Sequence, residues 1–369
     1  MSALSGSSRS TIVRINYRIS QKHAFPTPVH DVLTGYDWVL GNLIHKPAST
    51  SRYSRIGHIT ACLGVCGELV GGGLATMLAL TECKTGSKRL LAAAVNNPIL
   101  DWVFPFELST AEDATLEDED MFQSSNDMLN WWNQLETKEA SPRMKATPAV
   151  ESSWKKHADS PILPTKVLLH ARDAFFRRPE DYFDRFASPI CFFRSPSAEI
   201  IYPAEVDKLA SLPSSSDDSD SATQRNLYSD TDTISTHNPS HHHQSPLNPA
   251  NLPTLIKRRT YHRVHPPTNS GLLLPHMYIT TGRESPLLDQ ASELARQMKR
   301  SVMRQARTIY HAEDSGKILQ LGEQEADRKV CVSVDAGAGL WSRAAGEEWR
   351  PRIEDVGVWL RGRMRQRVP

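Results

Sequence analysis

Segments of two periodicities alternate along this sequence, and this alternation constrains the fold more than any other feature. The short apolar runs at Leu90–Val95, His276–Thr280 and Val330–Val334 have the length of strands. In Pro286–Arg304 and Ile353–Met364, apolar residues recur every three or four positions, as on one face of a helix. The pattern predicts an α/β fold with a mostly parallel sheet covered by helices on both faces. Strands are also expected at Thr11–Tyr17 and Ile59–Val65, and helices at Pro28–Leu43 and Leu74–Cys83.

Two stretches interrupt this alternation. The first is mostly helical and contains an aromatic cluster with Trp131 and Trp132, which is typical of a cap over a sheet. The second is rich in Ser, Asp, Asn and Pro and includes His241–His243. Such a composition buries too little apolar surface to offset chain entropy, so we expect a disordered insertion. The predicted organisation is one interrupted α/β domain: 1–105 and 257–369 form the domain, 106–186 the helical cap, 187–203 a return segment and 204–256 the insertion.

Composition limits the functional classes. The 369 residues carry a net charge of +1, so a nucleic-acid partner would need a local basic patch, and none is expected. Five cysteines in a chain of this size favour a reducing, cytoplasmic setting. Ile59–Leu80 is apolar enough to suggest a membrane span, with Glu68 as its single charge. Its glycines instead favour a strand followed by a helix, so no membrane span is expected.

The sharpest local motif lies between a predicted strand and a predicted helix. It reads Gly67-Glu68-Leu69-Val70-Gly71-Gly72. A strand that turns abruptly into a helix needs small residues two positions on either side of the tip, because side chains there would collide. Gly67 and Gly71 meet this need around Leu69. This is the sequence pattern of a nucleophile elbow, with Leu69 at its tip and Glu68 and Val70 beside it.

With this motif the chain resembles the α/β-hydrolase superfamily, in its hormone-sensitive-lipase-like branch, also called α/β-hydrolase fold-3. The resemblance covers about residues 11–105 and 257–369 and implies the fold of carboxylesterases and lipases. In that branch the elbow reads Gly-Asp-Ser-Ala-Gly-Gly. Other segments that resemble family motifs in order and spacing are Asn16–Ile19 with His23–Pro26, the Val32–Leu40 helix, Gly282–Asp289 and Gly337–Trp341.

The resemblance also implies where a catalytic triad would stand, and none of the three groups is present. The nucleophile position holds Leu69, which has neither a proton to lose nor a lone pair. The acid position holds Ser285, which carries no charge to stabilise an imidazolium. The base position falls near Ala338, and the last histidine of the chain is His311. We therefore expect a catalytically impaired or inactive homologue.

Two other readings stay open. An active carboxylic-ester hydrolase would need a nucleophile outside the motif, and Cys66 is the nearest thiol, although a buried structural cysteine is the simpler interpretation. A hydrophobic small-molecule binding module would place Phe175, Phe176 and Tyr182 of the cap over Leu69, although these aromatics equally suit core packing. Glu68 is interpreted as a structural hydrogen-bonding group, and neither a cofactor nor a metal site is expected.

The oxyanion hole is a further open question. Its second donor in the family comes from an HGG-type loop before the first strand seen here. Ten residues precede Thr11, too few for that loop and its strands. The sequence is compatible with a shortened version of the fold or with a chain that begins inside a longer reading frame.

Overall fold

A four-stranded parallel sheet forms the centre of the molecule. The computed structural model describes residues 2–44, 62–85, 90–105, 152–202, 254–309, 315–342 and 349–365. The strands of this part are β1 (Leu63–Glu68), β2 (Leu90–Asn96), β3 (Ala198–Ile201), β4 (Thr254–Lys257), β5 (His276–Gly282) and β6 (Val330–Asp335). The parallel sheet has the spatial order β1-β2-β5-β6, and β3 pairs antiparallel with β4 in a second, small sheet.

Eight α-helices in the described part of the chain surround the sheet. They are α1 (Ser2–Ser8), α2 (Thr27–Asn42), α3 (Val70–Thr81), α4 (Ser153–Lys156), α5 (Thr165–Phe175), α6 (Leu288–Ile309), α7 (Ser315–Lys329) and α8 (Trp349–Arg365). Short 3₁₀ helices lie at Pro179–Phe183 and Pro189–Phe192.

Both faces of the parallel sheet are covered, and the central strand β2 shows how. Its side chains alternate between two apolar clusters. Ala93 and Val95 pack in the main core, which also contains residues of α2, α3 and α6. Ala92 and Ala94 pack on the opposite face, with residues of α1 and α8. Every residue of β2 is therefore buried, which explains why it reads as a continuous apolar run.

The structure confirms the predicted α/β fold and most of its elements. The strands predicted from Leu90, His276 and Val330 are β2, β5 and β6, and each extends one or two residues further. The two C-terminal helices predicted from periodicity are α6 and α8. Helices α1 and α7 were not predicted.

The predicted strand at Thr11–Tyr17 is wrong, because residues 11–19 form no regular secondary structure. Its apolar side chains pack on helices rather than on a sheet edge. Ile15 lies against Gly35 of α2, and Tyr17 lies against Gly71 of α3. Val13 is 40% exposed and Ile15 and Tyr17 are half-buried, so the β-branched composition indicated a strand that tertiary packing overrode.

The boundaries of the interrupting segments also differ from the prediction. Thr254, Leu255 and Ile256 form most of β4 and pair with β3, so the insertion cannot extend to residue 256. The return segment 187–203 likewise contains β3. The described part of the predicted cap, 152–186, contains α4, α5 and a 3₁₀ helix, and its role as a cap stays a prediction. The rest of the insertion, with its histidine triplet, and the cap residues Trp131 and Trp132 lie outside the described residues.

The apolar stretch Ile59–Leu80 is not one helix. Its described part consists of β1, a turn and most of α3. Among the described residues, no helix has both the length and the apolar character needed to cross a membrane.

Candidate functional site

The chain turns sharply at Leu69, between β1 and α3. Leu69 has φ 52° and ψ −117°, a combination that a branched side chain rarely adopts. Its own peptide groups hold it there. The Leu69 N–H donates to the carbonyl of Asn96 at 3.0 Å, and the Leu69 carbonyl accepts from Gly73 at 3.0 Å and from Ile99 at 3.2 Å. The turn is therefore fixed by hydrogen bonds to α3 and to the end of β2.

The glycines around this turn are required by close backbone contacts. A Cβ on Gly67 would lie 2.0 Å from the carbonyl oxygen of Gly71. A Cβ on Gly73 would lie 2.3 Å from the carbonyl oxygen of Ile99. The inferred steric need is confirmed for Gly67, whereas a Cβ on Gly71 would meet only the Tyr17 side chain, whose hydroxyl would be 3.4 Å away, and would fit. This steric need also explains why α3 begins at Val70, four residues before the predicted start at Leu74, despite the low helix propensity of glycine.

The side chain at the tip is a hydrocarbon. Leu69 is half-buried and packs against the main core. Beside it, Glu68 uses its carboxylate to hold the loop after β6: Oε1 accepts from the backbone N–H of Trp341 at 2.6 Å and of Ser342 at 3.1 Å. This agrees with the interpretation of Glu68 as a structural hydrogen-bonding group.

Ser285 lies in the turn between β5 and α6 and is completely buried. Its Oγ accepts from the backbone N–H of Leu287 at 3.1 Å, and its own N–H donates to the carbonyl of Gly282 at 3.2 Å. The hydroxyl thus stabilises the turn that leads into α6.

Ala338 is buried in the loop after β6. Its carbonyl accepts from Nδ2 of Asn97 at 2.9 Å. A Cβ on Gly282 would lie 2.2 Å from the carbonyl carbon of Ala338, so the loop packs directly on the end of β5.

Sequence reasoning missed a buried polar network that joins the carboxyl ends of the strands. Asn96 Nδ2 donates to Thr280 Oγ1 and to the carbonyl of Gly339, both at 2.8 Å. Thr281 Oγ1 donates to Asn97 Oδ1 at 2.8 Å. The network contains amides, hydroxyls and carbonyls, all of them hydrogen-bonded and none of them an acid or a base near neutral pH. The sequence signal for this network is the pair of polar residues at the end of each of two apolar runs, Asn96 and Asn97 after Val95, and Thr280 and Thr281 after Ile279.

A catalytic base would be a histidine within hydrogen-bond reach of a serine or cysteine side chain. In the part of the chain that the structure describes, no histidine side chain makes such a hydrogen bond. His265 packs against the rings of Phe192 and Phe193, and burial lowers its pKa to about 4. His276, at the opposite end of β5 from the turn, also has a pKa lowered to about 4, by burial first and then by neighbouring positive charges.

Cys66 as a residue is exposed, whereas its sulfur is surrounded closely enough to be desolvated, so the predicted burial holds for the sulfur alone. It pairs with Ala94, whose side chain faces α8. Side chains of paired residues share a sheet face, so the thiol lies on the α8 side of β1. Desolvation of the sulfur raises the pKa of the Cys66 thiol, which disfavours the reactive thiolate.

The cap aromatics pack into the molecule. Phe175 stacks on Trp102 with ring centroids 5.2 Å apart, and Phe176 contacts Tyr182 at 4.9 Å. Phe175, Phe176 and Trp102 belong to the main core, and Tyr182 packs against it. These rings therefore serve core packing in the described structure.

The chain is similar to several solved esterases. Carboxyl esterase 2 from the mycorrhizal fungus Tuber melanosporum matches over 98% of this chain and 71% of that chain, with a TM-score of 0.44 and 12% identity. EstE1, a thermostable carboxylesterase cloned from a metagenomic library, matches over 98% and 72%, with a TM-score of 0.45 and 14% identity. The hyperthermophilic esterase of the archaeon Pyrobaculum calidifontis matches over 98% and 68%, with a TM-score of 0.44 and 13% identity.

A search of curated protein sequences finds no match. The family model described as alpha/beta hydrolase fold, Abhydrolase_3, matches residues 1–191, which is more than half of the chain. With its parallel sheet and helices on both faces, the chain belongs to the hormone-sensitive-lipase-like branch of the α/β-hydrolase superfamily.

Proposed function

We propose that this chain is an α/β-hydrolase-fold protein without ester-hydrolase activity, in which the scaffold is kept and the catalytic groups are absent. The observation that carries the proposal is Leu69 at the tip of the turn. Its strained backbone corresponds to the conformation that presents a nucleophile, and its side chain has no atom that attacks a carbonyl. In this proposal the turn is a nucleophile elbow that has lost its nucleophile.

The surroundings of the other two triad positions support the proposal. The hydroxyl of Ser285 already accepts a backbone hydrogen bond and has no charge to orient or stabilise an imidazolium. Ala338 contributes a methyl group, and its carbonyl is bound by Asn97. Removal of a single triad member typically lowers kcat by a factor of about 10⁴ to 10⁶, and the three members act as a unit, so any one of these absences is enough to remove most of the rate.

Hydrolysis of p-nitrophenyl acetate and p-nitrophenyl butyrate tests the proposal. We expect the folded protein to release p-nitrophenol no faster than the same protein after heat denaturation. A saturable rate that denaturation abolishes would contradict the proposal and favour an active ester hydrolase with its nucleophile elsewhere.

The proposal also includes a cellular compartment and a class of ligand. The low, odd cysteine count supports a cytoplasmic setting. A hydrophobic small molecule is the ligand that a leucine at the tip of the turn favours.

A further inference from the structure

A groove of about 380 Å³ lies beside the small β3–β4 sheet. Its lining residues come from two chain segments, 195–200 and 258–263, and from Phe183. Phe183 and Ile200 pack against a small apolar cluster that includes Ala198, so one side of the groove is apolar. None of the lining residues belongs to the turn at Leu69 or to its hydrogen-bonding network, so the groove is a separate site.

The walls of the groove are fixed by backbone hydrogen bonds between the two segments. Ser195 donates its N–H to the carbonyl of Tyr261 at 2.8 Å, and its Oγ accepts from the Tyr261 N–H at the same distance. The Arg263 N–H donates to the carbonyl of Phe193 at 2.8 Å, and the Arg258 N–H to that of Ser197 at 2.9 Å. The backbone positions of the three side chains that matter most, Arg258, Tyr261 and Arg263, are therefore set before any ligand binds.

The groove is locally basic although the whole chain is nearly neutral. Arg263 donates one hydrogen bond through Nη1, to the carbonyl of Cys191 at 3.3 Å, and a guanidinium has five N–H donors. Arg258 is ion-paired with Glu199 at 2.9 Å, and that carboxylate also lines the groove. Lys257 and Arg259 are exposed on the same chain segment.

Further charges surround this segment. Arg185 and Arg194 lie close enough to Cys191 to act on it electrostatically, as Arg263 does. The charge of Arg194 is balanced by Asp101, 2.7 Å away. On the adjacent turn, Asp181 pairs with Arg178 at 3.6 Å. Also on that turn, Asp184 accepts from the N–H of Phe186 at 2.7 Å. The carboxylates near the groove are thus engaged, while Arg263 keeps donors for a ligand.

An aromatic ring completes the groove. The Tyr261 side chain is 62% exposed, although its backbone is held on both sides. An exposed, positioned tyrosine that lines the groove together with two arginines suits a planar aromatic group that carries negative charge, because aromatic side chains stack on any nucleobase. Arginine recognises phosphate oxygens through parallel N–H donors.

We propose that this groove binds a nucleotide, with the phosphate held by Arg258 and Arg263 and the base against Tyr261. The same chemistry is present in a free nucleoside monophosphate and in one unit of a single-stranded nucleic acid. The groove volume lies within the range of small-ligand sites.

Isothermal titration of the full chain with AMP, adenosine and inorganic phosphate tests the proposal. We expect AMP to bind at least about tenfold more tightly than either adenosine or phosphate, because only AMP uses both the ring and the arginines. Equal binding of AMP and phosphate would overturn the proposal, as would the absence of AMP binding. A five-residue single-stranded oligonucleotide distinguishes the sources. If the oligonucleotide binds more tightly than AMP and its affinity falls steeply with salt, the ligand is a single-stranded nucleic acid. If the oligonucleotide binds no more tightly than AMP, the ligand is a free nucleotide.

Three variants assign the contacts, each checked for native circular dichroism. R263Q is expected to weaken binding of both AMP and phosphate about tenfold. Y261L is expected to weaken AMP binding and leave phosphate binding unchanged. E199Q is expected to tighten AMP binding several-fold, because it frees the guanidinium of Arg258.

The control variant is R350Q, which changes a surface arginine of α8 and leaves binding unchanged. Unaltered AMP affinity in both R263Q and Y261L would place any binding outside this groove and overturn the proposal.

Discussion

At the scale of single residues, the molecule has a strained turn with a hydrocarbon side chain at its tip. Leu69 holds a positive φ that costs of order 1–3 kcal/mol, and three backbone hydrogen bonds around it offset that cost. The steric constraints at Gly67 and Gly73 depend on this backbone path and not on the identity of the tip residue. The close packing of β1, α3 and β2 depends on the backbone path of the turn. The turn can therefore persist whichever side chain stands at its tip.

Substitution of serine for Leu69 alone is expected to create no esterase. L69S supplies the attacking hydroxyl, but Ser285 and Ala338 supply neither acid nor base. The rate of p-nitrophenyl butyrate hydrolysis is expected to stay at the level of the heat-denatured control. A clear gain of saturable turnover in L69S would show that a base lies within reach, contrary to the structure.

Substitution of alanine for Gly67 is expected to destabilise the fold severely. The added methyl group would stand 2.0 Å from the Gly71 carbonyl oxygen, and both positions are backbone, so relief requires movement of β1 against α3. We expect a loss of at least about 3 kcal/mol in urea-induced unfolding, or no folded protein. G41A is the matched control. Its Cβ meets nothing within 4 Å, and helix propensity predicts unchanged or slightly higher stability. Equal unfolding midpoints for the two variants would contradict this account.

At the scale of elements, prediction from sequence worked where short apolar or β-branched runs join the parallel sheet. β2, β5 and β6 are short apolar runs whose conformation the sheet requires, and they were predicted nearly to the residue. Residues 11–17 are also rich in β-branched side chains, but Ile15 and Tyr17 pack on α2 and α3 instead of in a sheet. The Asn96–Thr280 bond joins residues 184 positions apart, so it too could not be predicted from sequence. Of the candidate site, the sequence predicted the tight glycine turn and the role of Glu68, whereas the exposure of Cys66 was missed.

The loop after β6 is expected to depend on Glu68 at the end of β1. E68A leaves the N–H groups of Trp341 and Ser342 without their acceptor, at a cost of about 1–3 kcal/mol. E68Q keeps an acceptor oxygen at the same place and is expected to lose less than half as much. Chemical denaturation of the two variants measures the difference. Equal losses in both would show that the carboxylate does not anchor the loop through these bonds.

At the scale of the whole molecule, two buried histidines are expected to make stability fall on acidification. His265 and His276 have pKa values lowered to about 4 from an ordinary value of 6.5, because burial disfavours their charged forms. Between pH 4 and pH 6.5 the unfolded chain therefore binds more protons than the folded protein does. Their contribution is complete above about pH 6.5 and is lost as the pH falls towards 4, by a few kcal/mol in total.

The variant H265F tests this pH dependence. It removes one of the two titrating groups and keeps an aromatic ring beside Phe192 and Phe193. The free energy of unfolding is expected to fall about half as steeply between pH 6.5 and pH 4 as in the unmodified protein. H30Q, at an exposed position of α2, is the control and keeps the original slope. An unchanged slope in H265F would exclude His265 as a source of acid sensitivity.

Fluorophosphonate labelling of the folded protein, followed by peptide mapping in a mass spectrometer, tests the absence of catalytic groups most directly. The reagent forms a stable adduct only with a serine that a neighbouring base activates. We expect no adduct on any peptide, with an active serine esterase labelled fully in the same reaction. A stoichiometric adduct on one serine, abolished when the protein is unfolded, would demonstrate a working nucleophile and contradict the account.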